Sequence, residues 1–138
     1  MTRVFLDTSY AVALASPRDH HHSKAVELAG RLERWGSQMV TTRAILLEIG
    51  NSLSKLRYRS SGVALLESLE IDPRVEILPL SEDLYRRGFE LFRRRHDKEW
   101  SLVDCMSFVV MQDRRLQESL TTDEHFEQAG FRALLREA

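Results

Sequence analysis

Four carboxylates in this chain could act together: Asp7, Glu48, Asp104 and Asp123. Asp7 directly follows the β-forming run Val4-Phe5-Leu6, and Asp123 follows Ser119-Leu120-Thr121-Thr122, so each stands where a strand ends and a helix begins. Asp is also a preferred helix N-cap, and capping is the plain alternative at both positions. Asp104 sits in Ser101-Leu102-Val103-Asp104-Cys105-Met106-Ser107-Phe108-Val109-Val110-Met111, apolar nearly all round, and shares a face with Phe108 and Met111. A capping box with Ser101 explains a carboxylate near that helix start but not one aligned with an apolar stripe. An unpaired charge there costs several kcal/mol. Glu48 borders the apolar arc of Ile45, Leu46, Ile49, Leu53 and Leu56, where a solvated flank is the ordinary reading.

Gathered at one place, these acids would repel one another and raise each other's pKa unless a divalent cation neutralised them. Hydroxyls at Thr8, Ser9, Ser101 and Thr122 lie one to three residues from an acid. Such hard oxygen donors select Mg²⁺ or Mn²⁺ over zinc, and these ions usually serve phosphate chemistry.

The elements that must position these groups alternate. Arg3–Leu6, Gln38–Thr41, Val75–Leu78, Ser119–Thr121 and Phe131–Leu134 read as strands. Helical period is expected over Thr8–Ala15, His22–Trp35, Thr42–Arg57, Ser61–Leu69, Ser81–Arg95, Ser101–Leu116 and Glu124–Gln128. Strand and helix alternation implies an α/β fold with a mostly parallel sheet of about five strands, covered on both faces. Open sheets of this kind place ligands beyond the carboxyl ends of their strands, where Asp7 and Asp123 stand.

Composition sets the outer limits. With 138 residues, 43% apolar and 30% charged, the chain can build one domain with a real core, and wholesale disorder is ruled out. Three prolines, six glycines and no linker or repeat point to a single unit over residues 1–138. Twenty basic against twenty-one acidic residues leave a net charge of −1, so any nucleic-acid site must be local. Cys105 is the sole cysteine, which excludes an intrachain disulfide and favours a reducing, cytoplasmic setting. No leader is expected at the N-terminus, and no run approaches the roughly 18 apolar residues of a membrane span.

Taken in order, Phe5-Leu6-Asp7-Thr8-Ser9, Leu46-Leu47-Glu48-Ile49-Gly50-Asn51, Trp100 to Phe108, and Leu120-Thr121-Thr122-Asp123-Glu124-His125-Phe126 with Gly130-Phe131 resemble the motifs of a PIN-domain protein. The chain is most similar to the VapC-type toxins of toxin–antitoxin pairs. The resemblance runs from about Arg3 to Leu134 and implies a three-layer α/β/α sandwich. It implies a Mg²⁺- or Mn²⁺-dependent endoribonuclease in which Asp7, Glu48, Asp104 and Asp123 hold the metal and Thr8, Ser101 and Thr122 give polar support. It also implies a homodimer and a cognate antitoxin. Asp97 falls where many relatives carry a further acid, although its own charged surroundings suggest a solvated turn.

Other residues have plainer readings. His20-His21-His22 reads as a helix start and solvated edge rather than a metal site, and Cys105 as a small core residue. Lys55, Arg57 and Arg59 at the end of the third helix, and Arg86, Arg87, Arg93, Arg94, Arg95 and Lys98 around the fifth, are either solvated faces or RNA contacts. Two rival classes stay open. A dehalogenase-like Mg²⁺ phosphatase would want a second Asp two residues after Asp7, where Ser9 stands, and a catalytically silent PIN fold would be credible if an acid were missing.

Overall fold

The computed structural model describes residues 3–138; Met1 and Thr2, part of the expected 1–138 unit, lie outside the described residues. Strand β1 (Arg3–Leu6) buries Val4, Phe5 and Leu6 in succession, the pattern of a central strand covered on both faces. The chain then forms α1 (Thr8–Ala15), α2 (His22–Arg34), β2 (Gln38–Thr42), α3 (Arg43–Ser52), α4 (Leu56–Ile71) and β3 (Val75–Leu78). It continues through α5 (Glu82–Arg94), α6 (Leu102–Asp113), β4 (Glu118–Leu120), α7 (Glu124–Gln128) and β5 (Arg132–Ala133) to a closing 3-10 turn at Leu134–Arg136.

The sheet order is β3-β2-β1-β4-β5 and every pairing is parallel. Phe5 is in register with Val40 on one side and Ser119 on the other. The chain winds outward from β1 through β2 to β3, then returns to the opposite side of β1, so the topological switch point lies at the carboxyl end of β1. Helices α2, α3 and α4 pack around α1, while α6 packs against α5 and α7. Helix α6 is buried continuously from Cys105 to Met111 and carries Phe108 into an aromatic cluster with Trp100, Phe126 and Phe131. Full burial of each such side chain stabilises the fold by about 1.5–3 kcal/mol.

Several expectations change in detail. The helix expected over Thr42–Arg57 ends at Ser52, because buried Leu53 closes it and Lys55 turns to extended backbone before α4 begins at Leu56. Gly62 of α4 lies so close to Leu53 that a Cβ there would stand 2.9 Å from the Leu53 Cβ, which lets the new helix fold back over the break. Leu56, expected on the buried arc, is 90% exposed, and Arg57 and Arg59 belong to the start of α4 rather than the end of the third helix. The last strand shrinks from Phe131–Leu134 to Arg132–Ala133, since the chain enters the 3-10 turn to bury Leu134 and Leu135.

Helix α5 approaches α6 through Gly88, where an added Cβ would overlap the Met106 side chain and lie 3.2 Å from the Met106 backbone. Backbone cannot yield as a side-chain tip can, so Gly88→Ala should lower the urea unfolding free energy by about 1–3 kcal/mol despite alanine's better helix propensity. Gly30→Ala, whose Cβ would meet only the Arg34 guanidinium at 3.5 Å, should leave it unchanged or raised.

Candidate active site

Asp7 is where the sheet's geometry and the acidic cluster meet. Its backbone N–H donates to Leu120 O at 3.2 Å, so the chain is still tied to β4 as it leaves β1. Asp7 occupies the N-cap position of α1 without capping it: its side chain accepts no backbone N–H of the helix. Instead Oδ2 accepts from Thr121 Oγ1 at 2.8 Å and from Ser9 Oγ at 3.1 Å. Ser9 Oγ in turn accepts from the Thr122 N–H, and Thr121 Oγ1 accepts from the Asp123 N–H, both at 3.0 Å. The ends of β1 and β4 are therefore stitched through two hydroxyls that also orient the buried carboxylate.

The remaining acids face the same cleft, a recess of about 560 Å³ whose walls include Asp7, Thr8, Ser9, Glu48, Asp104, Thr122, Asp123 and His125. Glu48 Oε1 accepts from Thr8 Oγ1 at 2.7 Å, which draws α3 toward the start of α1. Asp104 and Ser101 form the reciprocal capping box, with bonds of 3.0 and 3.1 Å. Asp104 nevertheless also reaches His125 Nδ1 at 3.0 Å, so capping and a place in the cleft coexist. Asp123 caps α7 by accepting from the His125 N–H at 2.8 Å, and its Oδ1 lies 3.3 Å from His125 Nδ1.

Burial decides the protonation chemistry. Removal from water pushes the Asp7 carboxyl from 3.8 up to about 6; the Thr121 and Ser9 bonds oppose this, and the charges of Asp104 and Glu48 add to it. Glu48 and Asp104 are also raised, first by burial and further by neighbouring acids. Burial alone would lower His125, but the Asp104 hydrogen bond and the surrounding carboxylates outweigh it and raise the imidazole pKa. A protonated His125 would then stand as the counter-charge between Asp104 and Asp123. Ligand atoms of Asp104, Asp123 and His125 lie within 4.8 Å of one another, and the wider donor set is dominated by carboxylate and hydroxyl oxygen. Crowded, burial-raised carboxylates of this kind are compatible with a divalent cation and fit hard ions best.

The structure thus brings Asp7, Glu48, Asp104 and Asp123 to one cleft, together with Thr8, Ser101 and Thr122. It does not bring Asp97. That residue is exposed and paired with Arg95 at 3.0 Å, which holds its carboxyl at about 2, and Glu99 lines the cleft instead. His125 and Thr121 were not singled out from sequence; the available signal was His125 two residues beyond Asp123 at a helix start, and Thr121 two residues before it. Of the histidine run, His22 begins α2 and its Nδ1 lies 2.8 Å from Ala13 O, while His21 reaches the cleft wall. Cys105 is fully buried, and burial pushes its thiol up to about 11.

A family model described as the PIN domain matches residues 4–132, and the chain belongs to the PIN-domain family. The Mycobacterium tuberculosis protein named 23S rRNA-specific endonuclease VapC20 is 28% identical over 131 residues, spanning 93% of this chain and 95% of the relative. A crystal structure of that protein, described as a sarcin-ricin loop cleaving toxin, matches with a TM-score of 0.80. FitAcB from Neisseria gonorrhoeae shares the fold at 20% identity and a TM-score of 0.66, over 94% of each chain. So does VapBC2 from Rickettsia felis, crystallised with a DNA fragment from their promoter, at 15% identity and 0.66, over 96% of this chain and 97% of that one. The five-stranded parallel sheet flanked by helices agrees with the α/β/α sandwich that the sequence motifs implied. Among the described residues, no helix is long and apolar enough to cross a membrane.

Between 3.8 and about 6 the folded state holds the Asp7 proton more tightly than the unfolded chain does. The cost of burying the charge is therefore absent at low pH and fully present once pH has risen through the folded value. The raised His125 acts in the same sense, since its stabilisation is lost as pH rises through its folded pKa. In EDTA, Asp7→Asn should match wild type near pH 4 and exceed it by about 3 kcal/mol at pH 7 in urea unfolding. Thr121→Val removes a bond that lowers Asp7 and should move the carboxyl's midpoint above 6, read by side-chain NMR titration.

Proposed function

We propose that this chain is a Mg²⁺- or Mn²⁺-dependent endoribonuclease, working as one PIN-type unit and as the toxin of a toxin–antitoxin pair. The observation that carries the reading is the convergence of four carboxylates from β1, α3, α6 and α7 on a single cleft at the sheet's switch point. The raised pKa values of Asp7, Glu48 and Asp104 mark a site short of positive charge. The named activity of the Mycobacterium tuberculosis relative supports RNA as the polymer and makes 23S rRNA the first target to test.

In this reading Asp7, Glu48, Asp104 and Asp123 hold the cation. A divalent ion held there would make water more acidic and would offset charge at the departing 3′ oxygen. The chain's own part is positioning. Thr121 and Ser9 fix the Asp7 carboxylate, Thr8 fixes Glu48, the Ser101 box fixes the start of α6, and His125 keeps Asp104 and Asp123 together. No residue need form a bond to phosphorus, in keeping with a buried, high-pKa Cys105. The phosphatase alternative loses support because Ser9 serves the Asp7 carboxylate by donating to it. The silent-module alternative loses support because all four acids reach the cleft.

The toxin role rests on the family resemblance and on the Mycobacterium tuberculosis relative, a sarcin-ricin loop cleaving toxin. An antitoxin, or a second copy in a homodimer, would cover apolar side chains that stand exposed on α3 and α4, among them Leu47, Val63 and Ile71.

Purified, antitoxin-free protein should cut rRNA in Mg²⁺ or Mn²⁺ and stop in EDTA, with Asp7→Ala and Asp104→Ala each lowering the rate at least a hundredfold. Cutting that persists in EDTA, or in both variants, would refute the assignment. Without RNA, Mg²⁺ should raise the melting temperature of wild type by mass action and leave Asp7→Asn nearly unmoved.

A further inference from the structure

Beside the acidic cleft lies a second recess of about 500 Å³, within the roughly 300–1,000 Å³ typical of small-ligand sites. Asp19 lines both, so the two recesses adjoin at this residue. The second recess is walled by the loop after α1, which carries Arg18, and by the first turn of α4, which carries Arg57 and Tyr58. We propose that this recess is a nucleotide subsite, holding single-stranded RNA that flanks the scissile phosphate: Arg18 and Arg57 take phosphates and the Tyr58 ring takes a base. The inference rests on the ribonuclease reading above.

Three observations carry it. First, the charges are available. The basic cluster of α5 is largely tied up in pairs such as Arg86 with Glu82, Arg87 with Asp113 and Arg93 with Glu90, whereas Arg18 and Arg57 make no ion pair among the described residues. Second, the Arg57 guanidinium stands 4.8 Å over the Tyr58 ring, and Tyr58 is 38% exposed, so a planar cation and an aromatic side chain are held together at the recess. Stacking on such a ring and phosphate contact from neighbouring arginines are how proteins grip unpaired nucleotides. Third, the first turn of α4 contains no acid, and the free N–H groups of a helix start favour an anion. A nearly neutral protein whose catalytic cleft is acidic needs positive charge beside that cleft to hold a polyanion, and this recess supplies it.

The test is steady-state cleavage of an rRNA-derived hairpin with a single-stranded loop, in Mg²⁺ or Mn²⁺, over a range of salt. Arg18→Gln, Arg57→Gln and Tyr58→Ala alter exposed side chains and should fold normally. Each arginine variant should raise KM about five- to tenfold with kcat nearly kept, and flatten the logarithmic salt dependence of kcat/KM by about 0.7. Tyr58→Ala should raise KM by about fivefold or more, while Tyr58→Phe, which keeps the ring, should behave as wild type. Arg34→Gln, outside both recesses, is the control for net charge and should change little.

Variants that cut like wild type would overturn the subsite and leave the nuclease standing. So would an Arg34→Gln control that loses as much, or recess variants that fail only to bind the cognate antitoxin. Wild-type protein that cuts no RNA would end both readings together.

Discussion

The rest of the structure is arranged around a carboxylate that the fold itself makes costly. Asp7 must sit at the end of a strand buried on both faces, and burial there drives its pKa up to about 6. Two hydroxyls offset part of that cost, and the same two hydroxyls accept backbone N–H groups from the end of β4. The β1–β4 junction and the orientation of the acid are therefore one hydrogen-bonded network, and a change in either disturbs the other. What the network leaves over is negative charge, shared with Glu48 and Asp104. A fold that tolerates such a surplus trades stability for a site that a cation can complete.

Capping and chemistry are not rivals here. Three of the four acids stand at helix starts: Asp7 before α1, Asp104 in the first turn of α6 and Asp123 before α7. Helix starts in a parallel α/β fold gather at the carboxyl edge of the sheet, and their unpaired N–H groups favour anions. Asp104 and Asp123 do cap, and they also face the cleft. Only Asp7 gives up the cap, its Oδ2 instead accepting from Thr121 at the end of β4 and from Ser9. Glu48, mid-helix, lacks this support and depends on Thr8.

Much of this was legible in sequence for a definite reason. Buried parallel strands read as short apolar runs, and an acid at the end of such a run cannot be core, so Asp7 and Asp123 stood out. Asp104 was legible because its helix is apolar all round. The break between α3 and α4 was not, because the apolar period runs through Leu53 to Leu56 with no proline or glycine to interrupt it. What ends the helix is a tertiary contact, Leu53 against Gly62, that has no local signature. His125 had no local signature because its partner Asp104 lies 21 residues away, whereas the charged run around Asp97 already marked the solvated turn in which Arg95 pairs with it, against the place the family resemblance gave it.

Electrostatics also explains how a chain of net charge −1 can serve a polyanion. Ion pairs cover its surface, from Arg31 with Glu27 to Arg136 with Glu127. Such exposed pairs contribute only about 0–1 kcal/mol each to stability, but they cancel the long-range field that would draw nucleic acid to the whole surface. On the proposed reading, attraction is local and short-ranged, from a cation held among the acids and from Arg18 and Arg57 beside them, which make no ion pair among the described residues. Discrimination would follow from the same arrangement: on the proposed reading, a strand gains most where an unpaired segment brings its phosphates past the acidic cleft to Arg18 and Arg57.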